Sequence, residues 1–561
     1  MSPGSGPARA FSLCALVLRV SVVNFLEAMK RNRVVQSVLL SLFLSFPALL
    51  TGCASLPLEY PRAVSTALSM PEKTGMGQRV QAQAVKHQGK SGFYLLPSGD
   101  DAFMARVLAI DQAERTLDLQ YYIFRDDLTG KFLLDRLLAA AERGVRVRLL
   151  VDDWPQAGKT DWGLAMLQAN PNIQVRVFNP LGGLRSFLPS RVLQMVFGPK
   201  RLQGRMHNKT FIADNSLAVV GGRNIGDEYF GAQADLNFGD LDIMAIGPIT
   251  REISAAFDDY WNCALSIPLD ALVKGRPSAE DLENTRRFLA ENRQEMNNSG
   301  YAQKLEEAEL SRRVEAGHIP FIWAHGEVLC DDPLKVIREG SDHRKVLAGR
   351  RLKSIIEESQ SEVLMISPYL VPGERGINWL KGLRDRGVKL EILTNSLAST
   401  DVPVAQGGYA RYRKQLLQIG VDLYELKPNP SQRRFWDRTR FGSSVGSLHA
   451  KTVIVDRRVL FVGSFNLDPR SARLNTENGL VIESRELAAQ AAHLFDRSIA
   501  RANAYRVEIS GKSPGSEEGR GLVWITEENG REVRYYKDPM TGFWLRLWVH
   551  ILSGFAPESM L

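Results

Sequence analysis

Cysteine is scarce in this chain, with only four among 561 residues. No two of them form a C-x-x-C arrangement, and their spacing matches no zinc-binding pattern. The sequence also lacks a carboxylate cluster of the kind that Mg²⁺ or Ca²⁺ requires. We therefore predict no metal site and expect no cofactor.

Excess charge of one sign is also small once the N-terminus is set aside. The formal net charge is +8, and the first 52 residues contribute half of it with five Lys or Arg and one Glu. So mild a charge does not indicate nucleic-acid binding, and no nucleic-acid partner is expected. Basic and aromatic residues do concentrate at 185–201 and 433–441. These segments either flank an opening for an anionic lipid or are ordinary solvated loops.

Long apolar runs are lacking as well. The run at 34–50 has 17 residues, which is at the short edge of spanning length. A basic segment that begins just after Met29 precedes it, so residues 1–52 are predicted to be a secretory signal whose true start is Met29. The alternative is a transmembrane anchor. Residues 50–53 resemble a bacterial lipobox, which implies cleavage before Cys53 and lipidation of its thiol.

The C-terminal run at 543–552 is apolar and aromatic but too short to span a bilayer. It is typical of an interfacial helix that lies in the plane of the membrane surface. The alternative is a C-terminal helix docked on the core.

Two copies of one pattern, 242 positions apart, carry most of the functional information. Both have the form H-x-K-x4-D-x6-G-[GS]-x-N. The first copy contains His207, Lys209, Asp214, Gly222 and Asn224, and the second contains His449, Lys451, Asp456, Ser464 and Asn466. Identical internal spacing in both copies is not plausibly chance.

An apolar run follows each His and Lys and predicts a β-strand, at 210–213 and 452–455. On a strand, residues two apart share a face, so each copy presents an imidazole and an ammonium together. Asp214 and Asp456 come at the end of these runs, where a hairpin turn is expected. They are therefore either catalytic residues or turn residues.

Brought face to face, the two copies place two His, two Lys and two Asn around one small volume. Such a set suits a phosphodiester, because the Lys and Asn donors hold its oxygens and the charge that develops during transfer. One neutral His attacks phosphorus, while the other, protonated, donates to the leaving oxygen.

These patterns resemble the paired HKD motifs of the phospholipase D superfamily. The stretches 221–230 and 240–242 are similar to the bacterial cardiolipin synthase branch, and the likeness covers roughly 95–561. The resemblance implies a phosphohistidine intermediate on His207, with His449 as general acid. It also implies a carboxylate behind each histidine, and Asp240 and Glu477 fit because each precedes an apolar run. Ser464 keeps a hydroxyl that is expected to contact phosphate, whereas the other copy has Gly.

The repeat extends beyond the motifs, since 116–122 matches 362–369 and 143–150 matches 386–393. Alternating strands and helices favour an α/β fold. The resemblance adds two homologous phospholipase D-like domains, with mixed sheets flanked by helices, related by a pseudo-two-fold axis around one shared active site. The expected parts are a signal (1–52), a linker (53–94), domain 1 (95–265), a helical connector (266–350), domain 2 (351–505) and a C-terminal hairpin and interfacial tail (506–561).

The expected function is therefore that of a phosphatidyltransferase that makes cardiolipin from phosphatidylglycerol, with phosphatidylethanolamine as a further candidate lipid. We expect a bacterial, membrane-associated, lipid-anchored and periplasm-facing protein, and an accessory protein as a potential partner. The alternatives are a phospholipase D hydrolase, a nuclease of the same superfamily, and a lipid-binding lipoprotein with an inactive site.

Overall fold

The computed structural model describes residues 60–561 except 157–160, 183–184, 186, 188, 192–193, 195–199, 234–235, 274, 276, 339–346, 429–444, 512–520 and 556–561. The predicted signal, Cys53 and the loop at 433–441 therefore lie outside the described residues. The fold and the site described below belong to a unit formed by 57–180 and 199–561. The segment 181–198 belongs to a separate unit, in which Gly182 N donates to Gln194 Oε1 at 3.0 Å.

In the first half of the larger unit, eight of the described strands form a mixed sheet. The strands of this half are β1 (Ser91–Leu96), β2 (Thr116–Tyr121), β3 (Arg146–Asp152), β4 (Ile173–Phe178), β5 (Thr210–Ala213), β6 (Leu217–Gly221), β7 (Leu236–Gly239), β8 (Asp242–Ile246) and β9 (Ser266–Pro268). Their order in the sheet is β9-β4-β3-β2-β5-β6-β8-β1. The β2, β3 and β4 strands are parallel and the other pairings are antiparallel, while β7 stands apart from this sheet.

The second half repeats this arrangement. Its strands are β10 (Ile322–Cys330), β11 (Glu362–Ile366), β12 (Lys389–Asn395), β13 (Asp422–Leu426), β14 (Val445–Leu448), β15 (Thr452–Val455), β16 (Val459–Gly463), β17 (Asn478–Glu483), β18 (Ala504–Ile509), β19 (Leu522–Glu528) and β20 (Arg531–Tyr535). The order is β10-β17-β16-β15-β11-β12-β13-β18-β19-β20, with β11, β12 and β13 parallel. The expected α/β repeat with mixed sheets is confirmed.

Helices flank both sheets. The described α-helices are Gly75–Ala84, Gly99–Gln112, Leu128–Glu142, Asp153–Gln156, Asp161–Leu167, Asp227–Phe230, Ile249–Trp261, Ala279–Asn297, Gly300–Glu306, Glu309–Glu315, Ala348–Glu357, Gly373–Asp385, Pro403–Gln418, Pro469–Arg473, Arg485–Ser498 and Phe543–Phe555. Short 3-10 helices lie at Pro71–Lys73, Lys200–Gln203, Leu269–Ala271 and Pro333–Val336. The cores are apolar layers between these helices and the sheets, and the central strands β2, β5 and β15 are buried along their whole length.

Two equivalent hairpins place the motifs. Asp214 and Asn215 join β5 to β6 with φ of 50° and 49°, and Asp456 and Arg457 join β15 to β16 with φ of 51° and 47°. A two-residue turn with both residues left-handed matches the twist of an antiparallel pair, and Asp and Asn tolerate that conformation. The predicted strands and turns are confirmed. The His and Lys of each motif lie just before the strand, however, and not within it.

The connector at 266–350 contains helices, and it also contains a strand that the sequence analysis did not predict. It contains β10, whose residues 322–324 pair with β1 and whose residues 325–330 pair with β17, so this strand joins the sheets of the two halves. His325 and Gly326 interrupt the apolar pattern, which hid the strand. Gly326 is required by close packing, because a Cβ there would lie 2.7 Å from side-chain carbons of Ile249 and Phe93.

The segment expected to be a linker, 53–94, contains the helix Gly75–Ala84 and most of β1. At the other end, the expected hairpin is confirmed, since β19 pairs with β20 around Asn529 and Gly530, both of positive φ.

The C-terminal helix Phe543–Phe555 is docked on the protein, as one of the expected alternatives has it, while its place at a membrane surface stays a prediction. Its Val549 is buried against the protein at 5% exposure, whereas Trp544 and Trp548 are 77% and 58% exposed. The helix is therefore docked on one face and presents aromatic side chains on another. Within the described part of the chain, no helix has the length and apolar character needed to cross a membrane.

Candidate active site

The main chain of each half positions the histidine of the other half. His449 N donates to Gly239 O at 2.7 Å, next to the parallel pairing of β7 with β14. In the equivalent contact, His207 N donates to Thr476 O at 2.9 Å, beside the parallel bridge between Met206 and Thr476. Asp240 follows Gly239 and Glu477 follows Thr476, so these contacts bring each imidazole to a carboxylate from the opposite half.

The resulting histidine–carboxylate pairs are crossed. His207 Nδ1 lies 2.9 Å from Glu477 Oε2, and His449 Nδ1 lies 2.6 Å from Asp240 Oδ2. All four side chains are buried. A carboxylate that accepts the Nδ1 proton leaves the lone pair on Nε2, which is the tautomer that a nucleophile or base requires. The sequence indicated both carboxylates but did not show which histidine each one contacts.

Ser464 supports a carboxylate in this structure. Its hydroxyl donates to Glu477 Oε2 at 2.5 Å and accepts from Asn478 N at 3.0 Å. In this structure the single hydroxyl proton of Ser464 is therefore used by Glu477, and the expected contact with phosphate stays a prediction. In the other half, Gly222 leaves the space that Asp240 occupies, since a Cβ there would lie 2.3 Å from Asp240 Oδ1.

Two residues that the sequence analysis missed complete the surroundings of the site. Ser471 Oγ donates to Glu477 Oε1 at 2.6 Å, and the ring of Tyr229 meets the His449 ring edge-on at 5.2 Å. Each follows the asparagine of its motif by five positions. A comparison of the two copies beyond that asparagine would have found them.

The two motif lysines are buried beside their own histidines. Lys209 Nζ donates to His207 O at 2.5 Å, and Lys451 Nζ donates to His449 O. Burial lowers the pKa of Lys451 to about 8. Burial, together with the charge of Lys451, also lowers the pKa of Lys209. The two lysines are thus cationic donors whose charge the carboxylates of Asp240 and Glu477 balance in part.

Both imidazoles are neutral at neutral pH. Burial lowers the pKa of His207 to about 4, although Glu477 opposes the shift. Burial and the adjacent Lys451 lower the pKa of His449 to about 3. Burial would raise the pKa of Asp240, but its hydrogen bond to His449 and the nearby cations hold it at about 2. The carboxylates are therefore ionised and the imidazoles carry one proton each.

The motif asparagines lie at the same edge of the sheets. Asn224 Oδ1 accepts from Ile123 N at 3.1 Å, and its Nδ2 donates to the Tyr229 hydroxyl at 2.9 Å. The amide group therefore keeps one N–H for a ligand. Asn466 is also buried, and its Oδ1 has no hydrogen-bond partner among the described residues. This carbonyl oxygen can therefore still accept a hydrogen bond at the site.

Asp214 and Asp456 do not join the histidines, which corrects their expected catalytic role. Asp214 accepts from the backbone N–H groups of residues 114, 115 and 116, at 2.8 to 2.9 Å. Asp456 does the same with residues 360, 361 and 362, at 2.8 to 3.0 Å. Each aspartate follows the lysine of its motif by five residues, which at ~3.3 Å per extended residue allows a separation of up to roughly 17 Å. They fix the start of β2 and β11.

Among the described residues, no group of three or more His, Cys, Asp or Glu is arranged to hold a metal ion. Of the two basic and aromatic loops, 433–441 lies outside the described residues. In the other loop, the ring of Phe187 is exposed.

Comparisons with known proteins find one matching family and relatives whose names agree with it. The family described as "Cardiolipin synthase, PLD-like domain" matches the chain twice, at 107–261 and 352–499. Cardiolipin synthase C of Escherichia coli (strain K12) is 41% identical over 477 residues, which are 85% of this chain and 97% of that protein. Cardiolipin synthase B of the same strain is 25% identical over 394 residues, or 70% and 76% of the two chains. The crystal structure of phosphatidylserine synthase from Haemophilus influenzae Rd KW20 aligns over 77% of this chain and 91% of that chain, with a TM-score of 0.49 and 16% identity.

Proposed function

Since the chain belongs to the phospholipase D superfamily and carries two copies of the cardiolipin synthase PLD-like domain, we propose that it makes cardiolipin through a phosphohistidine intermediate. The phosphatidyl group would be transferred from a donor phospholipid to phosphatidylglycerol. The observation that carries this proposal is the crossed pairing of His207 with Glu477 and of His449 with Asp240 beside two buried lysines.

In the first step, His207 attacks the phosphorus of the donor lipid. Its proton is held on Nδ1 by Glu477, so the Nε2 lone pair is available. As the Nε2–P bond forms, the P–O bond to the head group breaks, and the leaving oxygen takes a proton from His449. His449 must be protonated for this step. The phosphate's negative charge offsets the repulsion from Lys451 and raises the pKa of His449.

In the second step, His449 takes a proton from the hydroxyl of phosphatidylglycerol. The oxygen attacks phosphorus, the P–N bond breaks, and neutral His207 returns. Cardiolipin forms, and the donor's head group has already left as glycerol or ethanolamine, according to whether the donor is phosphatidylglycerol or phosphatidylethanolamine. An accessory protein would act on this second step if acceptor delivery requires it.

The buried cations and amides stabilise the charge of the transition state. Lys209 and Lys451 approach from the two halves, and Asn224 and Asn466 add neutral donors. In a buried site, such preorganised donors act more strongly than they would in water. Truncation of either lysine should therefore cost more than an ordinary surface contact, at about 10²- to 10³-fold in rate.

We place the protein at a bacterial membrane, anchored through acylated Cys53 and facing the periplasm. The lipobox-like residues 50–53 and the preceding signal support the anchor. The exposed aromatic face of the helix Phe543–Phe555 supports a second contact with the lipid surface.

The test is product analysis by mass spectrometry with labelled phosphatidylglycerol in vesicles, with and without phosphatidylethanolamine. We expect cardiolipin in excess of phosphatidic acid. His207→Ala should abolish it, whereas His493→Ala, a matched change at an exposed histidine of the helix Arg485–Ser498, should not. Phosphatidic acid as the sole product would identify a hydrolase, DNA cleavage without lipid turnover a nuclease, and no turnover an inactive lipid-binding protein.

A further inference from the structure

An apolar cavity of about 490 Å³ lies in the second half of the molecule, beside the loop that carries Asn466. It is enclosed by the helices Ala348–Glu357 and Gly373–Asp385 and by the loop that follows β16. Leu352, Met365 and Trp379 are among the side chains that line it. A concave apolar site of this kind is suited to an apolar ligand with a polar end.

The cavity begins next to the motif. Phe465 and Leu467, the two neighbours of Asn466 in sequence, both line it. Leu467 is held by a bridge to Leu370, which is a further wall residue. The cavity therefore borders the loop that carries Asn466, whose own side chain does not line it.

The two halves differ in side-chain size at one wall position of the cavity. Ala472 lines the cavity, and its counterpart 242 positions earlier is Phe230. Phe230 is fully buried, packs 5.0 Å from the Phe103 ring and lies 5.4 Å under the Arg106 guanidinium. The two motifs have the same spacing, but the second half has a small residue at the position where the first half has a large one.

Charge at the cavity rim favours an anionic ligand. Arg375, Arg473 and Lys353 line it and are exposed, and the Lys353 ammonium pairs with Glu357 at 2.5 Å. Glu374 and Asp468 also line it, but burial raises the pKa of Asp468 to about 7, so that its negative charge is reduced near neutral pH. Basic residues around an apolar opening attract anionic lipids.

We infer that this cavity takes one acyl chain of the phospholipid whose phosphate lies at the paired histidines. The inference rests on the proposed function and adds to it a selective contact with the lipid tail in the second half alone. It predicts that the enzyme distinguishes lipids by chain length as well as by head group.

The test compares the full-length protein with Ala472→Phe, which copies the first half and occupies the opening. The kcat/KM for long-chain phosphatidylglycerol, divided by that for dihexanoyl phosphatidylglycerol, should fall about tenfold, the effect expected when roughly two methylene groups lose their burial. Ala489→Phe, at an exposed alanine of the helix Arg485–Ser498, is the matched control and should leave the ratio unchanged. An unchanged ratio for a folded Ala472→Phe would overturn the inference.

A second measurement uses the unaltered protein, so it does not depend on the variant's folding. Phosphatidylglycerol with a diazirine at the end of one acyl chain is photolysed with the protein, and the crosslinked peptides are identified. Crosslinks in the helices Ala348–Glu357 or Gly373–Asp385 support the inference, and crosslinks confined to other segments contradict it. If no lipid is turned over, the proposed function fails, while the crosslinks still decide the tail site.

Discussion

Glu477→Gln tests the crossed arrangement most sharply among single substitutions. Glu477 accepts hydrogen bonds from His207 at 2.9 Å, from Ser464 at 2.5 Å and from Ser471 at 2.6 Å. Gln has nearly the same size, so the packing is kept while the negative charge is removed. The substitution lies 270 positions from His207, in the opposite half of the molecule.

The size of the effect follows from these contacts. A buried hydrogen bond to a charged group contributes ~1.5–3 kcal/mol, so loss of the charge alone predicts a rate roughly 10- to 150-fold lower. If the amide nitrogen turns toward His207, it forces the proton onto Nε2 and removes the attacking lone pair. The comparable change behind another catalytic histidine lowers the rate by ~10⁴. The predicted loss therefore lies between about 10-fold and 10⁴-fold.

The assay is initial-rate cardiolipin formation from labelled phosphatidylglycerol across pH. Glu477 raises the pKa of His207, so its neutralisation should also move the acid limb of the profile to lower pH, which a merely structural defect would not do. Glu391→Gln is a matched control, because Glu391 is also buried in the second half but pairs with Lys389. A Glu477→Gln rate within threefold of the parent, with an unmoved acid limb, would refute the reasoning.

Three further predictions concern pH, the membrane and the N-terminus. The pH dependence of kcat should be bell-shaped. The rate falls on the acid side as His207, whose pKa is lowered to about 4, gains a proton, and it falls on the alkaline side as His449 loses the proton that it must donate and as Lys451, whose pKa is lowered to about 8, loses its charge. The apparent pKa values belong to the coupled set. A rate maintained to pH 10 would contradict both the role of Lys451 and the need for a protonated His449. Replacing Trp544 and Trp548 with Ala should lower vesicle binding of an unlipidated protein at least tenfold, because each exposed ring would bury apolar area worth ~1.5 kcal/mol or more. The control is Phe288→Ala, which removes another exposed aromatic ring. Equal flotation of the parent, the double variant and the control would reject the interfacial role. Mass spectrometry of the N-terminal peptide should find a mature chain that begins at acylated Cys53, and an unmodified Cys53 within an intact N-terminal segment would contradict it.

Local features of the site could be predicted from the sequence because short segments determine them. The spacing around His207 and His449 predicts the strands, the turns and the gathering of like residues. The sequence around Asp214 left its role ambiguous, because an aspartate in a tight turn and a catalytic aspartate have the same sequence pattern here. The structure resolves the ambiguity through the three backbone amides that the carboxylate accepts.

The remaining features depend on contacts between distant segments. The crossed pairs join residues 209 and 270 positions apart, and the parallel pairing of β7 with β14 creates one of them. No periodicity within a segment encodes that pairing. The bridging strand β10 was missed because His325 and Gly326 break its alternation. The difference in size between Phe230 and Ala472 could have been found from the sequence, because it requires only a comparison of the two repeats.

The most direct test of the central claim is the identity of the covalent intermediate. The protein is mixed with labelled phospholipid, quenched in base during turnover to preserve phosphohistidine, and digested for peptide mapping. We predict a phosphatidyl adduct on His207 that is formed and consumed at the rate of turnover and that is lost in His207→Ala. An adduct on His449 instead, or turnover without any histidine adduct, would contradict it.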